Sequence, residues 1–275
     1  MSFDLIITND PDHGITKDYI PIFKELSNLD IKVTTAVFAD VEKREDFPGK
    51  SRTLASHCYP GETNSLSDPH YRDLMLEIKD LGHEIAYHGY SQVNNTAEYF
   101  ARGIEIYEDI FGEKPFTYME HGGNPFKSHP PEMCKKETLD VLGKKKGSKY
   151  YVWDLIKESF GITWAHHELL DDDYDFVDTD KMFYMEGDNL MFRRHRMYYL
   201  ETILDAHGKD LSEEERKLFI GYTHFGYKGY SSLPHGTLES WCGSSLPRAI
   251  SKLEAIKKEY NPKSYTLREY VEKKL

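Results

Sequence analysis

Cysteine is scarce: the 275 residues hold three, Cys58, Cys134 and Cys242, widely spaced and with no CxxC pair. That excludes a disulfide framework and a thiolate metal site, and leaves each as a small apolar side chain. Positive charge is outnumbered, 35 Lys and Arg against 47 Asp and Glu, for a net charge of -12. Nucleic acid and anionic membrane surfaces both call for a basic face, so neither is an expected partner. No apolar run is long enough to span a bilayer, so no integral membrane segment is expected. Met1-Ser2-Phe3-Asp4 lacks the basic and apolar regions of a signal peptide, and the chain reads as cytoplasmic. Internal repeats, low-complexity tracts and a compositional break are lacking too. One domain over 1–275 is the expectation.

The chain is, in contrast, rich in aromatics, at 13% with 20 tyrosines. These suit a cleft that stacks on sugars or bases, and equally the core and rim of an ordered domain. Strand-like runs alternate with helix-like ones. Asp4 to Thr8, Val33 to Ala39, His83 to His88, Phe116 to Met119, Ile162 to Ala165, Leu190 to Arg194 and Leu218 to Tyr222 read as strands. Tyr71 to Leu81 has helical spacing and ends at Gly82, and Thr96 to Phe111 carries Phe100, Ile104, Tyr107 and Phe111 on one face before Gly112. A further helix is expected near Glu132 to Leu142, and an acidic loop over Asp171 to Asp180. Alternating β and α units imply a parallel sheet, and this many strands favour one barrel.

Three polar segments close strand-like runs far apart in sequence. Asp10-Pro11-Asp12-His13-Gly14 follows Leu5-Ile6-Ile7-Thr8, His88-Gly89-Tyr90-Ser91-Gln92 follows Ile85-Ala86-Tyr87, and Thr223-His224 follows Ile220-Gly221-Tyr222. The C-terminal strand ends of parallel α/β folds hold the chemistry, so one shared metal or acid/base site is implied. Asp10 and Asp12 can point into one pocket, one binding a metal and one acting as base; a solvated turn has the same composition. His88 is a ligand or a structural imidazole. His224 is a candidate general acid, since an imidazole's unperturbed pKa lies near neutrality, or a buried group bonded to backbone. Glu120-His121 and His166-His167-Glu168 end other strands.

Taken in order, these segments resemble the polysaccharide deacetylase family, carbohydrate esterase family 4, of the nodulation-type chitooligosaccharide deacetylases. Leu5 to Gly14 looks like the first motif in its Thr-x-Asp-x-Asp form. Gly82-His83-Glu84-Ile85-Ala86-Tyr87-His88-Gly89-Tyr90-Ser91 is close to Gly-His-Glu-Ile-x-x-His-Thr-x-Ser, the most specific element. Phe116 to Gly123 stands where the third motif belongs, Ile220 to His224 where the last does, and Tyr265 to Glu269 looks like the closing segment.

The resemblance implies a distorted (β/α)7-type barrel and metal-dependent removal of acetyl from an N-acetylated sugar or glycan precursor. By position, Asp10 would be the base, Asp12 and His88 ligands of a divalent metal, expected to be zinc, and His224 the acid. The family's second metal His falls at Gln92, a weaker ligand. Its Arg-x-Pro motif is absent, with Glu120-His121-Gly122 in that region. His13, Tyr90, Glu120 and His121 then stand as substrate contacts or replacement ligands, and Arg193, Arg194 or Arg196 as the source of the missing guanidinium. Two other classes compete: a metal-free carbohydrate-binding pseudoenzyme, and a glycoside hydrolase with paired carboxylates on a related barrel.

Overall fold

The computed structural model describes residues 3–10, 16–40, 65–91, 95–121, 139–165, 168–170, 177–207, 217–226 and 246–275. In chain order the elements are β1 (Asp4–Asn9), α1 (Thr16–Asn28), β2 (Val33–Phe38), α2 (Pro69–Asp80), β3 (Glu84–Gly89), α3 (Ala97–Phe111) and β4 (Thr117–Met119). A π-helical turn (Leu139–Gly143), α4 (Trp153–Ser159), β5 (Ile162–Trp164), β6 (Val177–Asp178), α5 (Thr179–Met182), β7 (Phe183–Glu186), β8 (Asn189–Phe192) and β9 (His195–Arg196) follow. The chain continues through α6 (Tyr199–His207), β10 (Lys217–Thr223), α7 (Leu246–Tyr260), β11 (Lys263–Tyr265) and α8 (Leu267–Lys274).

The sheet runs β6-β10-β1-β2-β3-β4-β5-β8-β7, and its centre, β10 through β8, is parallel throughout. The flanking strands β6 and β7 pair antiparallel. No continuous ladder closes the parallel run among the described residues. β8 pairs with β5, however, and β9, only three residues after β8, pairs with β10. The ends of the run therefore approach each other across Arg193 and Arg194. The parallel α/β architecture matches the expected one.

Side-chain alternation sorts the strands into layers. Ile6, Ala36, Ala86, Met119, Phe192 and Ile220 belong to one central cluster. Their neighbours Leu5, Ile7, Val37, Ile85 and Phe219 pack the other way, against α1, α2 and α7 residues such as Phe23, Ile78 and Leu253. Tyr87, Tyr118 and Met191 meet Phe100, Ile104 and Ile156 in a third cluster. A fully buried side chain of this kind contributes about 1.5–3 kcal/mol. The core is thus a filled interior with helices packed outside it.

Local signals hold where the sequence carried them. Thr96 caps α3 through its side chain to Tyr99 N, and Gly112 ends it at φ 73°, a conformation that favours glycine. Gly82, just past α2, has φ 89°. Thr266 and Glu269 form a capping box on α8, whose Leu267 is buried in the central cluster. Two expectations change. The helix near Glu132 to Leu142 falls mostly outside the described residues, and its last part is the π-helical turn. The acidic loop ends in β6 and α5, and β7 follows, a strand not expected from the sequence, pairing antiparallel with β8, which falls on the expected strand Leu190 to Arg194.

Candidate active site

The period of two that fills the core also builds the site. Along β1 it runs Ile6, Thr8 and Asp10; along β3, Ala86 and His88; after β4, Met119 and His121. Past β8 it takes Phe192 to Arg194, and on β10 it takes Ile220 and Tyr222 to His224. The apolar members lie in the central cluster. The polar members come last on each strand, at the C-terminal end of the sheet.

Asp10 and Arg194 meet there as a fork: Arg194 Nη1 donates to Asp10 Oδ1 at 2.8 Å and Nη2 to Oδ2 at 2.6 Å. Both side chains are buried, Arg194 being 1% exposed. The same Nη1 donates to Thr8 Oγ1 at 3.1 Å. The guanidinium carbon lies 3.5 Å from the Trp164 ring centroid and 4.7 Å from that of Tyr222. A planar, delocalised cation suits such a slot, where an ammonium would lose both the fork and the stacking. Burial alone raises the Asp10 carboxyl. Arg194, with His88 and His224 adding to it, outweighs that and holds the carboxyl below its ordinary range.

His88 is 1% exposed, and its Nδ1 lies 2.7 Å from the Met119 carbonyl oxygen. A carbonyl only accepts, so Nδ1 carries a proton, and in the neutral ring Nε2 holds the lone pair. Metal-binding histidines have this tautomer and this kind of backbone partner. His88 is thus held as one nitrogen donor of the kind a divalent ion takes. Phe38 packs on the His88 ring at 4.8 Å, and His121 lies edge-on to it at 5.3 Å. His224 is half-buried against Tyr222, ring centroids 5.7 Å apart, close enough to Asp10 to act on its charge.

Asn9 ties these strand ends together. Its Nδ2 donates to Thr35 Oγ1 at 2.6 Å, and its Oδ1 accepts from Phe225 N at 2.7 Å, fixing the turn that carries His224. Asp10 N also donates to Thr223 O, at 3.0 Å.

The structure thus brings Asp10, His88, His121 and His224 to one end of the sheet. Asp12, His13 and Gln92 lie outside the described residues, as do His166 and His167. Two expected residues are engaged elsewhere. Glu120 accepts a hydrogen bond from Leu139 N at 2.5 Å, because it follows Met119 and so faces the other way. The Tyr90 hydroxyl donates to Asp40 at 2.9 Å while its ring packs with Tyr99 and the third cluster. The partners of Thr8, Asn9, Trp164 and Tyr222 are not legible in the sequence, since nothing short-range marks a residue whose partner is 26 to 216 positions away. Among the described residues no group of three or more His, Cys, Asp or Glu side chains gathers as a metal cage. No described helix is long and apolar enough to cross a membrane.

No protein-family model matches the chain, and no curated protein matches it. Solved structures do. A GH57 branching enzyme from the hyperthermophilic archaeon Thermococcus kodakaraensis matches with a TM-score of 0.52 at 12% identity, over 100% of this chain and 72% of that one. A polysaccharide deacetylase from Bacillus cereus matches at 0.44 and 12%, covering 97% and 93%. A CE4 family pseudoenzyme from Bacillus anthracis matches at 0.45 and 10%, covering 98% and 65%. At 12% identity the likeness to the branching enzyme, whose TM-score exceeds 0.5, is one of α/β fold alone.

Proposed function

We propose that the protein is a divalent-metal-dependent hydrolase that removes an acetyl group from an N-acetylated sugar or glycan precursor, with residues 1–275 forming one catalytic domain. The observation that carries this reading is the buried Asp10, forked by Arg194, at the same end of a parallel sheet as the imidazoles of His88 and His224, whose charge helps to lower its pKa. Amide hydrolysis near neutral pH needs a water made nucleophilic, a stabilised oxyanion and a proton for the leaving amine. His88 and Asp12 would hold the ion, and an imidazole–carboxylate donor set suits zinc. When bound, the ion supplies a Lewis acid for the acetyl carbonyl and a lowered pKa for water.

Asp10 takes the proton of the attacking water, its carboxylate held in one orientation by Arg194. This gives the fork the part that the absent Arg-x-Pro arginine would play. His224 returns a proton to the amine nitrogen, since an imidazole is charged for a useful fraction of molecules near neutral pH.

Acetate release from N-acetylglucosamine derivatives and chitooligosaccharides tests the reading. Release that a chelator abolishes and zinc restores is the expected result. Sugar ends freed without acetate would move the assignment to a glycoside hydrolase. The pseudoenzyme reading draws its support from Gln92 at the usual second His position; sugar binding with no hydrolysis, in a protein that takes up no zinc, would establish it instead.

A further inference from the structure

We infer that His121 supplies the second imidazole of the metal site, so that the ligand pair is drawn from two adjacent strands rather than from one loop. The inference rests on the metal-dependent reading above and concerns how the site is built. In the sequence the second imidazole is missing where the motif would put it, because Gln92 stands four residues after His88. An amide oxygen is a poor replacement for a nitrogen donor at zinc.

β3 and β4 are parallel neighbours, with Tyr87 beside Tyr118. His88, in the last turn of the alternation along β3, therefore lies beside Met119, and His121, two residues past the end of β4 on the same inward side, meets it on the diagonal. Their ring centroids are 5.3 Å apart with the planes at 81°. Zn–N bonds of about 2.0–2.1 Å put each imidazole centroid about 3.2 Å from a shared ion, and a tetrahedral angle then separates two centroids by about 5 Å. The observed centroid spacing is the one two imidazoles on one ion would have.

The surroundings agree. The carbonyl that fixes the His88 tautomer belongs to Met119, two residues before His121, so one short stretch of chain both orients the first imidazole and delivers the second. Phe38 contacts both rings, at 4.8 and 5.4 Å, and gives the pair an apolar wall. His88 is buried and His121 half-buried.

The test uses Zn²⁺ alone in equilibrium dialysis, and Co²⁺ as a spectroscopic substitute, on the full chain. His121→Gln should weaken Zn²⁺ binding by more than about 100-fold, whereas Gln92→Ala should leave it within about threefold. Co²⁺-loaded wild type should show two hyperfine-shifted exchangeable imidazole N–H resonances, and the His121 variant one. His121→Phe keeps an edge contact with Phe38 while removing the nitrogen, so a fold defect in one variant is separated from a lost ligand. Undiminished affinity and two resonances in folded His121 variants would overturn the inference, with His121 then no more than a ring packed edge-on against His88. A large loss on Gln92→Ala with none at His121 would overturn it as well. A wild-type chain that binds neither ion overturns the metal-dependent function itself, a different failure from loss of one ligand.

Discussion

Arg194 grips Asp10 with both terminal nitrogens across 184 positions of sequence, and it does so from the link between β8 and β9. The placement matters because that link is where the chain passes from β8, paired with β5, to β9, paired with β10. One guanidinium therefore both joins the ends of the parallel run and aims the carboxylate expected to act as base. Its removal strands a buried charge, whereas its replacement by another cation keeps charge but loses the fork.

Arg194→Ala should lower stability by about 3–5 kcal/mol, because Asp10 is left buried and unpaired. Arg194→Lys should fold better than the alanine variant yet lose about 10²-fold in kcat, with KM little changed, since a misaimed carboxylate slows chemistry more than binding. Urea unfolding together with acetate-release kinetics checks both. A lysine variant with wild-type kcat would refute the aiming role.

Asp10→Asn and His224→Ala should each reduce deacetylation by about 10²–10⁴-fold while zinc remains bound. They part on an activated ester such as p-nitrophenyl acetate, whose leaving group departs without a proton. There the His224 variant should recover most of its rate and the Asp10 variant should not. Equal losses on both substrates would remove the general-acid assignment.

His83 gives stability a pH dependence that owes nothing to catalysis. Val33 N donates to its Nδ1 at 3.1 Å, so Nε2 carries the proton, lying 2.9 Å from Ser27 Oγ. Burial, with Lys32 adding to it, pulls its pKa down to about 4 although the Phe23 carbonyl opposes the shift. The unfolded imidazole takes up a proton near pH 6.5, so between there and pH 4 the unfolded chain binds more protons than the folded one. Stability from this group is complete above about pH 6.5 and declines as the pH falls toward 4, by up to roughly 3 kcal/mol. Denaturant midpoints of wild type and His83→Gln from pH 7 to 4 measure it, and the variant's profile should be flatter. Parallel profiles would rule it out.

Gly103→Ala should destabilise the protein without touching the site. A Cβ there would stand 2.1 Å from the Tyr87 hydroxyl, which is hydrogen-bonded to Phe100 O at 3.0 Å inside α3's own contact with the sheet. Overpacking of this kind costs about 1–3 kcal/mol. Thermal unfolding would show it, and an unchanged midpoint would mean that Tyr87 can move aside.

The sequence by itself determined the parallel α/β class, most strand and helix positions and the strand ends at which Asp10, His88 and His224 sit. Alternation and capping are local codes, as the inward run Ile6, Thr8, Asp10 and the pair Thr96 and Gly112 illustrate. Only the tertiary structure decided which of three neighbouring arginines reaches Asp10, that Glu120 turns to Leu139 and Tyr90 to Asp40, and that His121 meets His88. Arg193 and Arg194 are alike in composition and adjacent in sequence. The pleat sends Arg193 outward to Glu168 and Arg194 inward to Asp10, and which side is inward is fixed by pairing with strands far away in the chain.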